Sequence, residues 1–148
     1  MLFIANDHAG VELKQLLTQY LTNQQIHFED LGVHTKNNVD YPDIADTLCN
    51  KIAKNYESNR GILICGSGIG MSIAANRYYN IRAALCTDPY MASVARKHND
   101  ANVLCLGARV IGIGVAETIV MTFLHESFDG GRHHTRIQKL TNQRNNNE

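Results

Sequence analysis

The chain has 148 residues, of which 44% are hydrophobic and 19% are charged, and this suits one compact domain over residues 1–148. Lys and Arg together number 14 and equal the 14 Asp and Glu, so net charge gives no preference for nucleic acid or for an acidic membrane surface. The apolar runs are far shorter than the roughly 20 residues of a membrane span, and the N-terminus lacks the basic segment of a secretory signal, so we expect a soluble, cytoplasmic protein.

Short β-rich runs alternate along the chain with longer segments of helical periodicity. The predicted strands comprise residues 2–5, 27–32, 61–65, 81–86 and 102–106. Several of these runs are apolar at successive positions, which is typical of parallel strands that are covered by helices on both faces. The alternation predicts an α/β fold with an open, doubly wound, Rossmann-like sheet of five parallel strands in three α/β/α layers.

Helical spacing of apolar residues predicts helices between these strands. A second helical stripe of apolar residues follows Pro42. The first stripe comprises Val11, Leu13, Leu16, Leu17, Tyr20 and Leu21. At the end of the chain, helices are predicted from Gly112 to about Glu126 and from Arg132 to about Gln143. The last helix, within residues 132–148, has few apolar positions, so we expect it to pack on another surface, such as a second subunit. We expect the tail from Asn145 to fray.

Candidate functional residues lie next to the predicted strands. In a doubly wound sheet the ligand crevice lies beyond the carboxyl ends of the strands, where helix N-termini present unpaired N–H groups. Asn6-Asp7-His8 follows the first strand, the segment at 65–70 follows the third, and His98-Asn99-Asp100 precedes the fifth. An acid, an imidazole, a thiol and a hydroxyl group could therefore converge on one cleft.

The glycine-rich segment Gly66-Ser67-Gly68-Ile69-Gly70 connects a predicted strand to a helix. Its glycines allow backbone N–H groups to approach an anionic oxygen, so the segment is either an oxyanion or phosphate cradle or only a tight turn. It lacks the Lys of a Walker loop, has Cys65 where a nucleophile elbow needs Gly, and misses the dinucleotide fingerprint by one residue. A nucleotide-binding module without catalysis remains an alternative.

The cysteine and histidine residues allow both chemical and structural roles. Four cysteines stand singly, without CxxC spacing, which predicts free thiols rather than disulfides or a zinc cage: Cys49, Cys65, Cys86 and Cys105. Cys65 directly precedes the glycine segment, where the dipole of the following helix favours a thiolate, although a small core residue would also fit. Asp7 could instead serve only as the N-cap of the first helix, and His98 only as a cation that complements the dipole at the end of the helix before the fifth strand. Without an H-E-x-x-H pattern, we expect no metal site.

Six segments of the chain together match the sequence pattern of one known family, in the same order and with similar spacing. They are Asp7-His8-Ala9-Gly10, Val39-Asp40-Tyr41-Pro42-Asp43, GILICGSGIGMSIAANR at 61–77, HNDANVL at 98–104, Gly107-Ala108-Arg109 and Gly130-Gly131-Arg132-His133. Together they closely resemble ribose-5-phosphate isomerase type B, of the family that includes the galactose-6-phosphate isomerase subunits. The resemblance implies a homodimer, often paired into tetramers, that interconverts ribose 5-phosphate and ribulose 5-phosphate without metal or organic cofactor, in the non-oxidative pentose phosphate pathway.

The resemblance also implies an active site built from two subunits. In it, Cys65 would be the base that moves a proton between C2 and C1 of the sugar through a cis-enediolate. His98, with Asp7 nearby, would assist opening of the furanose ring. Tyr41 and Ser67 would line that end of the pocket, and Ser67 departs from the Thr that is common in the family while keeping the hydroxyl group.

Two groups of substrate-binding residues complete the implied site. The enediolate oxygens would be held by Asn99 and by backbone N–H groups of Gly66, Gly68, Ile69 and Gly70. The phosphate would be bound by His8, Arg109, Arg132 and Arg136. An isomerase of galactose 6-phosphate or allose 6-phosphate remains an alternative within the family, because the sequence does not reveal the length of the pocket.

Overall fold

The structure is a computed structural model that describes the backbone of residues 1–145 and the side chains of residues 1–140. Strands and helices alternate along the chain as the sequence predicts. The strands are β1 (Leu2–Asn6), β2 (Phe28–Asp30), β3 (Arg60–Cys65), β4 (Ala83–Leu85) and β5 (Val103–Gly107). The helices are α1 (Val11–Asn23), α2 (Tyr41–Ala53), α3 (Ile69–Ala75), α4 (Pro89–Lys97), α5 (Ile113–His125) and α6 (Arg132–Asn145).

The five strands form one sheet in the order β2-β1-β3-β5-β4, and every neighbouring pair is parallel. The predicted doubly wound α/β fold is therefore confirmed. All residues of β1 and β5 and all but the first of β3 are buried, which explains why these three runs are apolar at successive positions. The edge strands β2 and β4 are half-buried and have only three residues each, fewer than the sequence predicts.

Helices cover both faces of the sheet. Helices α1, α4 and α5 pack with Ile62 and Ile64 of β3 on one face, and α2 and α3 pack with Leu63 and Cys65 on the other. This alternation is the period of two that a strand imposes on its side chains. Burying a Leu or Phe side chain contributes about 1.5–3 kcal/mol each, and fully buried residues occur on both faces.

Capping residues fix where several helices begin. The Asp88 carboxylate accepts a hydrogen bond from the Met91 N–H at 2.9 Å, and Pro89 supplies the first residue of α4. The Asp7 carboxylate accepts from the N–H groups of Ala9 and Gly10 at 2.9 and 3.3 Å. Asp7 thus caps a short 3-10 turn that runs directly into α1.

The buried stripe of α1 differs from the predicted one at two positions. Leu16 is 48% exposed, whereas Lys14 is only 2% exposed. The Lys14 ammonium forms an ion pair with Asp30 at 2.9 Å and donates to the Val33 carbonyl oxygen at 2.9 Å. A buried charge is tolerated when it is paired and hydrogen-bonded in this way. Lys14 therefore connects α1 to the segment that follows β2.

The crossovers give the sheet two chemically different edges. Each strand of the parallel sheet ends at one edge, here called the carboxyl edge, and each crossover helix returns the chain to the opposite, amino edge. The turn between α4 and β5 lies at the amino edge, and the Asp129 N–H donates to the Lys97 carbonyl oxygen there at 3.0 Å. The start of α6 therefore also lies at the amino edge.

The last helix extends slightly beyond its predicted end. Helix α6 includes Asn145, and the remaining residues of the predicted frayed tail, 146–148, lie outside the described residues. Of the side chains described in α6, His133 is buried, whereas Arg132, Arg136 and Leu140 are exposed. Within residues 1–145, no helix combines the length and apolar character needed to cross a membrane.

Candidate active site

A cavity of about 370 Å³ opens at the carboxyl edge of the sheet, beside the ends of β1 and β3. It is lined by Asp7, Tyr41, Cys65, Gly66, Ser67, Gly70, Arg109 and Val110. A second cavity of about 220 Å³ shares Arg109 and is lined in addition by His8, Ala9, Glu12 and Lys36. This is the edge at which doubly wound sheets bind ligands, because the helices that follow the strands begin there.

Cys65 combines a buried position with access to the larger cavity. It is the last residue of β3 and is 5% exposed, and its sulfur accepts a hydrogen bond from the Gly68 N–H at 3.1 Å. A backbone N–H that donates to sulfur stabilises the thiolate. Cys65 therefore has the surroundings of a reactive thiol, although its side chain also contacts the apolar residues beneath the sheet.

The other three cysteines are core residues. Burial raises the pKa of Cys49 to about 12 and that of Cys86 to about 12, with a smaller contribution from nearby Asp46 and Asp88 respectively. Burial also raises the pKa of the Cys105 thiol well above its usual range. Each thiol is free, as the sequence predicts. None of these three cysteines lines the larger cavity.

The glycine segment takes its shape from close packing. Gly68 has a φ of 80°, and a Cβ atom there would lie 2.5 Å from the Leu85 Cδ1 atom. The segment is further fixed by β5, because the N–H groups of Ala108 and Arg109 donate to the carbonyl oxygens of Cys65 and Gly66 at 2.8 and 3.0 Å. Only a residue without a side chain fits at position 68.

Two N–H groups of this segment already have partners within the chain. The Gly68 N–H donates to the Cys65 sulfur, and the Ile69 N–H donates to the Ser67 hydroxyl oxygen at 3.2 Å. Ser67 is exposed and lines the cavity. These two N–H groups therefore point at the side chains of Cys65 and Ser67, which line the cavity. An anionic ligand atom could take the place of those side chains as the acceptor.

His8 and Arg109 are polar groups that line the smaller cavity, and Arg109 lines the larger cavity as well. The His8 Nδ1 atom accepts a hydrogen bond from the Val39 N–H at 3.3 Å, which leaves Nε2 as the protonated nitrogen of the neutral ring. The Arg109 guanidinium lies over Gly66, where a Cβ atom would approach its Nη1 atom to 3.2 Å. Together they supply, in the smaller cavity, hydrogen-bond donors of the kind that a phosphate group requires.

Tyr41 forms the opposite wall of the cavity. It is the first residue of α2, and its side chain is 41% exposed. The ring packs on Gly70, where a Cβ atom would lie 2.8 Å from the ring carbons. Glycine at position 70 therefore allows the tyrosine ring to lie flat against the start of α3.

Four of the predicted site residues lie away from this cavity. His98 and Asn99 directly follow α4, and Arg132 and Arg136 lie in the first turns of α6, so all four lie at the amino edge of the sheet. A five-residue strand is about 16 Å long, so side chains at the two edges of one chain do not meet. The acid, the thiol and the hydroxyl group of Asp7, Cys65 and Ser67 share one cavity, whereas the His98 imidazole does not join them within a single chain.

The amino-edge residues form a cluster of their own. The rings of His98 and His133 are stacked, with centroids 4.3 Å apart and an interplanar angle of 9°. Burial lowers the pKa of His133, and the neighbouring His98, Arg132 and Arg136 lower it further, whereas Asp129 raises it. His133 is therefore held in its neutral form beside exposed arginines.

His98, Asp129 and His133 also have ligand atoms within 4.8 Å of one another, which raises the question of a metal ion. A metal bound to imidazole lies near the plane of the ring, about 2.0–2.1 Å from its nitrogen. Two rings that are stacked and almost parallel cannot both point a nitrogen at the same ion. These three residues therefore do not fit a metal centre in the observed arrangement.

Sequence reasoning identified most of the residues that line the larger cavity but missed Val110 there and Ala9, Glu12 and Lys36 in the smaller one. Lys36 forms an ion pair with Glu12 at 2.5 Å. It lies in the irregular connection between β2 and α2, where no periodicity indicates which way a side chain points. Val110 directly follows the predicted site residue Arg109, and this adjacency was the only signal that the sequence offered for it.

Comparison with known proteins supports the resemblance found in the sequence. The family model described as Ribose/Galactose Isomerase matches residues 2–140. Escherichia coli (strain K12) ribose-5-phosphate isomerase B is 41% identical over 135 residues, covering 91% of this chain and 90% of that protein. A crystal structure of a ribose 5-phosphate isomerase from Thermotoga maritima is 52% identical, with a TM-score of 0.92, and covers 95% of this chain and 97% of its own.

A further solved structure carries a ligand. The crystal structure of ribose-5-phosphate isomerase B from Mycoplasma genitalium with bound ribulose-5-phosphate is 41% identical, with a TM-score of 0.93. The alignment covers 97% of this chain and 95% of that chain. Since the family model and these relatives all span nearly the whole chain, the protein belongs to the Ribose/Galactose Isomerase family.

Proposed function

We propose that the protein is an aldose-ketose isomerase that interconverts D-ribose 5-phosphate and D-ribulose 5-phosphate through a cis-enediolate. The observation that carries this proposal is the Cys65 sulfur, which lines the carboxyl-edge cavity and accepts a hydrogen bond from the Gly68 N–H. The named activity of the Escherichia coli relative and the ribulose-5-phosphate bound to the Mycoplasma genitalium relative support the same substrate pair.

Cys65 is the general base in this proposal. The thiolate removes the proton from C2 of the open-chain aldose, and the electron pair moves to the carbonyl oxygen at C1, forming the enediolate. The proton then returns to C1, and the proton of the C2 hydroxyl group is transferred to the oxygen at C1, which completes the ketose. The Gly68 N–H supports the thiolate that this step requires.

Stabilisation of the enediolate is the larger demand, because a carbon acid beside an aldehyde is too weak to ionise unaided at neutral pH. Prearranged donors aimed at such an oxyanion each contribute about 3 to 4 kcal/mol. We assign this role to the N–H groups from Gly66 to Gly70 together with the side chain of Asn99. The Ile69 N–H would exchange its present partner, the Ser67 hydroxyl group, for the substrate.

Ring opening and phosphate binding fall to the remaining residues. His98 transfers the proton that opens the furanose ring, with Asp7, Tyr41 and Ser67 lining that end of the pocket. The phosphate is bound by His8 and Arg109 on the carboxyl edge and by Arg132 and Arg136 from the amino edge. Binding a distant phosphate uses its interaction energy to orient a small, mobile sugar for reaction.

A complete site of this kind requires a second copy of the chain, since the two sets of residues lie at opposite edges of one sheet. A two-fold dimer would bring the amino edge of each copy to the carboxyl edge of the other and generate two identical sites. Exposed apolar side chains support a covering partner, because Val110 at the cavity and Ile69 and Ile73 on α3 are 55%, 53% and 54% exposed. We assign α6 to the same contact, and pairing of dimers into tetramers is compatible with this arrangement.

Substitution of Cys65 by Ala tests the proposed function. We expect turnover of ribose 5-phosphate to fall far more than tenfold, because no other thiol lines the larger cavity. Cys49→Ala is the matched control, since Cys49 is buried on the same face of the sheet without lining the cavity. Turnover by Cys65→Ala within about tenfold of wild type would contradict the role of this residue.

The second candidate is a hexose 6-phosphate isomerase, which the galactose in the family description favours. Tyr41 and Gly70 both line the cavity and pack against each other, so we expect them to influence the length of sugar that fits. A comparison of kcat/KM for ribose 5-phosphate, galactose 6-phosphate and allose 6-phosphate separates the two candidates. A clear preference for either hexose phosphate would replace our first assignment.

A further inference from the structure

The turn that carries His98 and Asn99 is held by a charged cluster that the reaction itself does not use. Asp100 ends this turn with a φ of 44°, a left-handed conformation that is uncommon for a residue with a side chain. Such backbone conformations persist when the surrounding contacts determine them, and they occur preferentially at functional sites. The contacts around Asp100 are therefore informative.

Two guanidinium groups bind the two oxygens of the Asp100 carboxylate. Arg96 Nη1 donates to Oδ1 at 2.9 Å, and Arg82 Nη2 donates to Oδ2 at 2.8 Å. The side chains of Arg96 and Arg82 are 6% and 17% exposed, so water screens these ion pairs less than it screens pairs on the open surface.

The same arginines also bind the backbone of the turn. Arg82 Nε donates to the carbonyl oxygens of Asn99 and Asp100 at 3.0 and 2.9 Å. Arg96 Nη1 donates to the Ala101 carbonyl oxygen at 2.6 Å. Three consecutive carbonyl groups directly after His98 are thus bound by side chains, which leaves the turn little freedom to move.

The two arginines come from different parts of the fold. Arg82 directly precedes β4, and Arg96 belongs to α4, where its Nε atom also approaches the Glu126 carbonyl oxygen at 3.4 Å. The cluster therefore connects an edge strand, the end of α4 and the segment that leads to α6.

We propose that Asp100, clamped between Arg82 and Arg96, is a positioning residue that fixes the turn presenting His98 and Asn99 to the substrate bound by a second copy of the chain. This inference rests on the proposed function, because it assigns Asp100 no contact with the sugar. A misplacement of about 1 Å of a reacting group is enough to lower a rate about a hundredfold, which gives such a clamp a measurable effect.

Asp100→Gly is the most direct test, because glycine adopts the left-handed conformation without cost while the carboxylate is lost. We expect kcat for ribose 5-phosphate to fall about tenfold or more, with KM changed less than about threefold. Asp100→Asn retains one acceptor oxygen and tolerates the same conformation, so its kcat should lie between those of wild type and Asp100→Gly. Arg82→Gln provides an independent variant should Asp100→Gly fold poorly.

A mutant cycle in a His98→Ala/Asn99→Ala background distinguishes positioning from a general loss of structure. If Asp100 acts through the turn that presents these two side chains, Asp100→Gly should lower kcat by less than about threefold in that background. Glu29→Gln is the matched control, because it breaks the Lys51–Glu29 ion pair of 2.7 Å remote from this turn, and its kcat should equal that of wild type.

The outcomes separate this inference from the proposed function. Equal losses from Asp100→Gly in both backgrounds, or wild-type kcat in Asp100→Gly, would contradict the positioning role while leaving the isomerase intact. Wild-type turnover by His98→Ala would contradict the assignment of His98 and the positioning role together. A loss that appears as a lower melting temperature without a lower kcat at 25 °C would also overturn the inference.

Discussion

The imidazole rings of His98 and His133 lie stacked, with centroids 4.3 Å apart and an angle of 9° between their planes. His98 directly follows α4 and His133 lies in the first turn of α6, so the stack joins the ends of two helices at the amino edge of the sheet. His133 is 7% exposed, and its burial helps to keep the ring neutral by lowering its pKa. A neutral aromatic ring against His98 restricts the plane in which His98 can approach a ligand.

Replacement of His133 tests the importance of this stack. His133→Ala removes the ring face and should lower kcat for ribose 5-phosphate about tenfold, because the His98 ring then has more than one orientation. His133→Phe keeps a flat ring of similar size and should remain within about threefold of wild type. Steady-state kinetics on both variants measures the difference. Equal kcat values for the two variants would show that the stack has no part in turnover.

The lowered pKa of His133 also predicts a pH dependence of stability. In the unfolded chain this histidine titrates near its ordinary value of 6.5, whereas burial and the neighbouring His98, Arg132 and Arg136 disfavour the proton in the folded chain. As pH falls through 6.5, the unfolded chain therefore binds a proton that the folded chain does not, and the free energy of unfolding decreases. Above this range His133 makes no such contribution.

Thermal unfolding of wild type and His133→Phe at about pH 8 and about pH 5.5 checks this sign. The wild type should lose more of its melting temperature on acidification than the variant, since the variant lacks the titrating ring. Other histidines titrate in both proteins, so the comparison isolates position 133. Identical losses in the two proteins would contradict the predicted linkage.

Local chemistry explains what could be predicted from the sequence. The apolar run at 61–65 followed by glycines predicted a buried strand and a turn, and the structure has both at the carboxyl edge. The positions of Lys14 and Leu16 could not be predicted, because the burial of Lys14 depends on distant partners, Asp30 sixteen positions away on β2 and the Val33 carbonyl oxygen. The separation of His98 from Cys65 follows from the crossover of α4, which a list of strand-adjacent residues does not show.

Gly68 offers a prediction about stability and activity together. In Gly68→Ala the residue would have to keep a φ of 80° with its Cβ atom 2.5 Å from Leu85 Cδ1 and 3.0 Å from the Leu106 carbonyl carbon. We expect a loss of about 1–3 kcal/mol in the free energy of unfolding, measured by denaturant titration, together with lower turnover. The loss of turnover follows because the Gly68 N–H would shift away from the Cys65 sulfur.

Gly114→Ala is the control for this substitution. Gly114 lies in the first turn of α5, and a Cβ atom there would meet nothing within 4 Å. Because alanine favours helix more than glycine does, this variant should be as stable as wild type or more stable by up to about 1 kcal/mol. Comparable losses in both variants would show that the conformation of Gly68 is not the cause.

Complementation between two inactive variants tests the two-chain site. Cys65→Ala removes a residue of the carboxyl edge, and His98→Ala removes one of the amino edge. In a mixed dimer, one site receives both substitutions and the other receives neither. Co-folding equal amounts of the two variants yields mixed dimers as half of the population, so turnover should recover to about a quarter of the wild-type value.

The matched control is the pair Cys65→Ala and Gly68→Ala, whose substitutions both lie at the carboxyl edge. Their mixed dimers contain one substitution in each site, so no intact site forms, and turnover should stay at the level of the separate variants. This contrast depends only on which edge each residue occupies. Recovery in the control pair, or no recovery with His98→Ala, would contradict a site in which the thiol and the imidazole come from different copies.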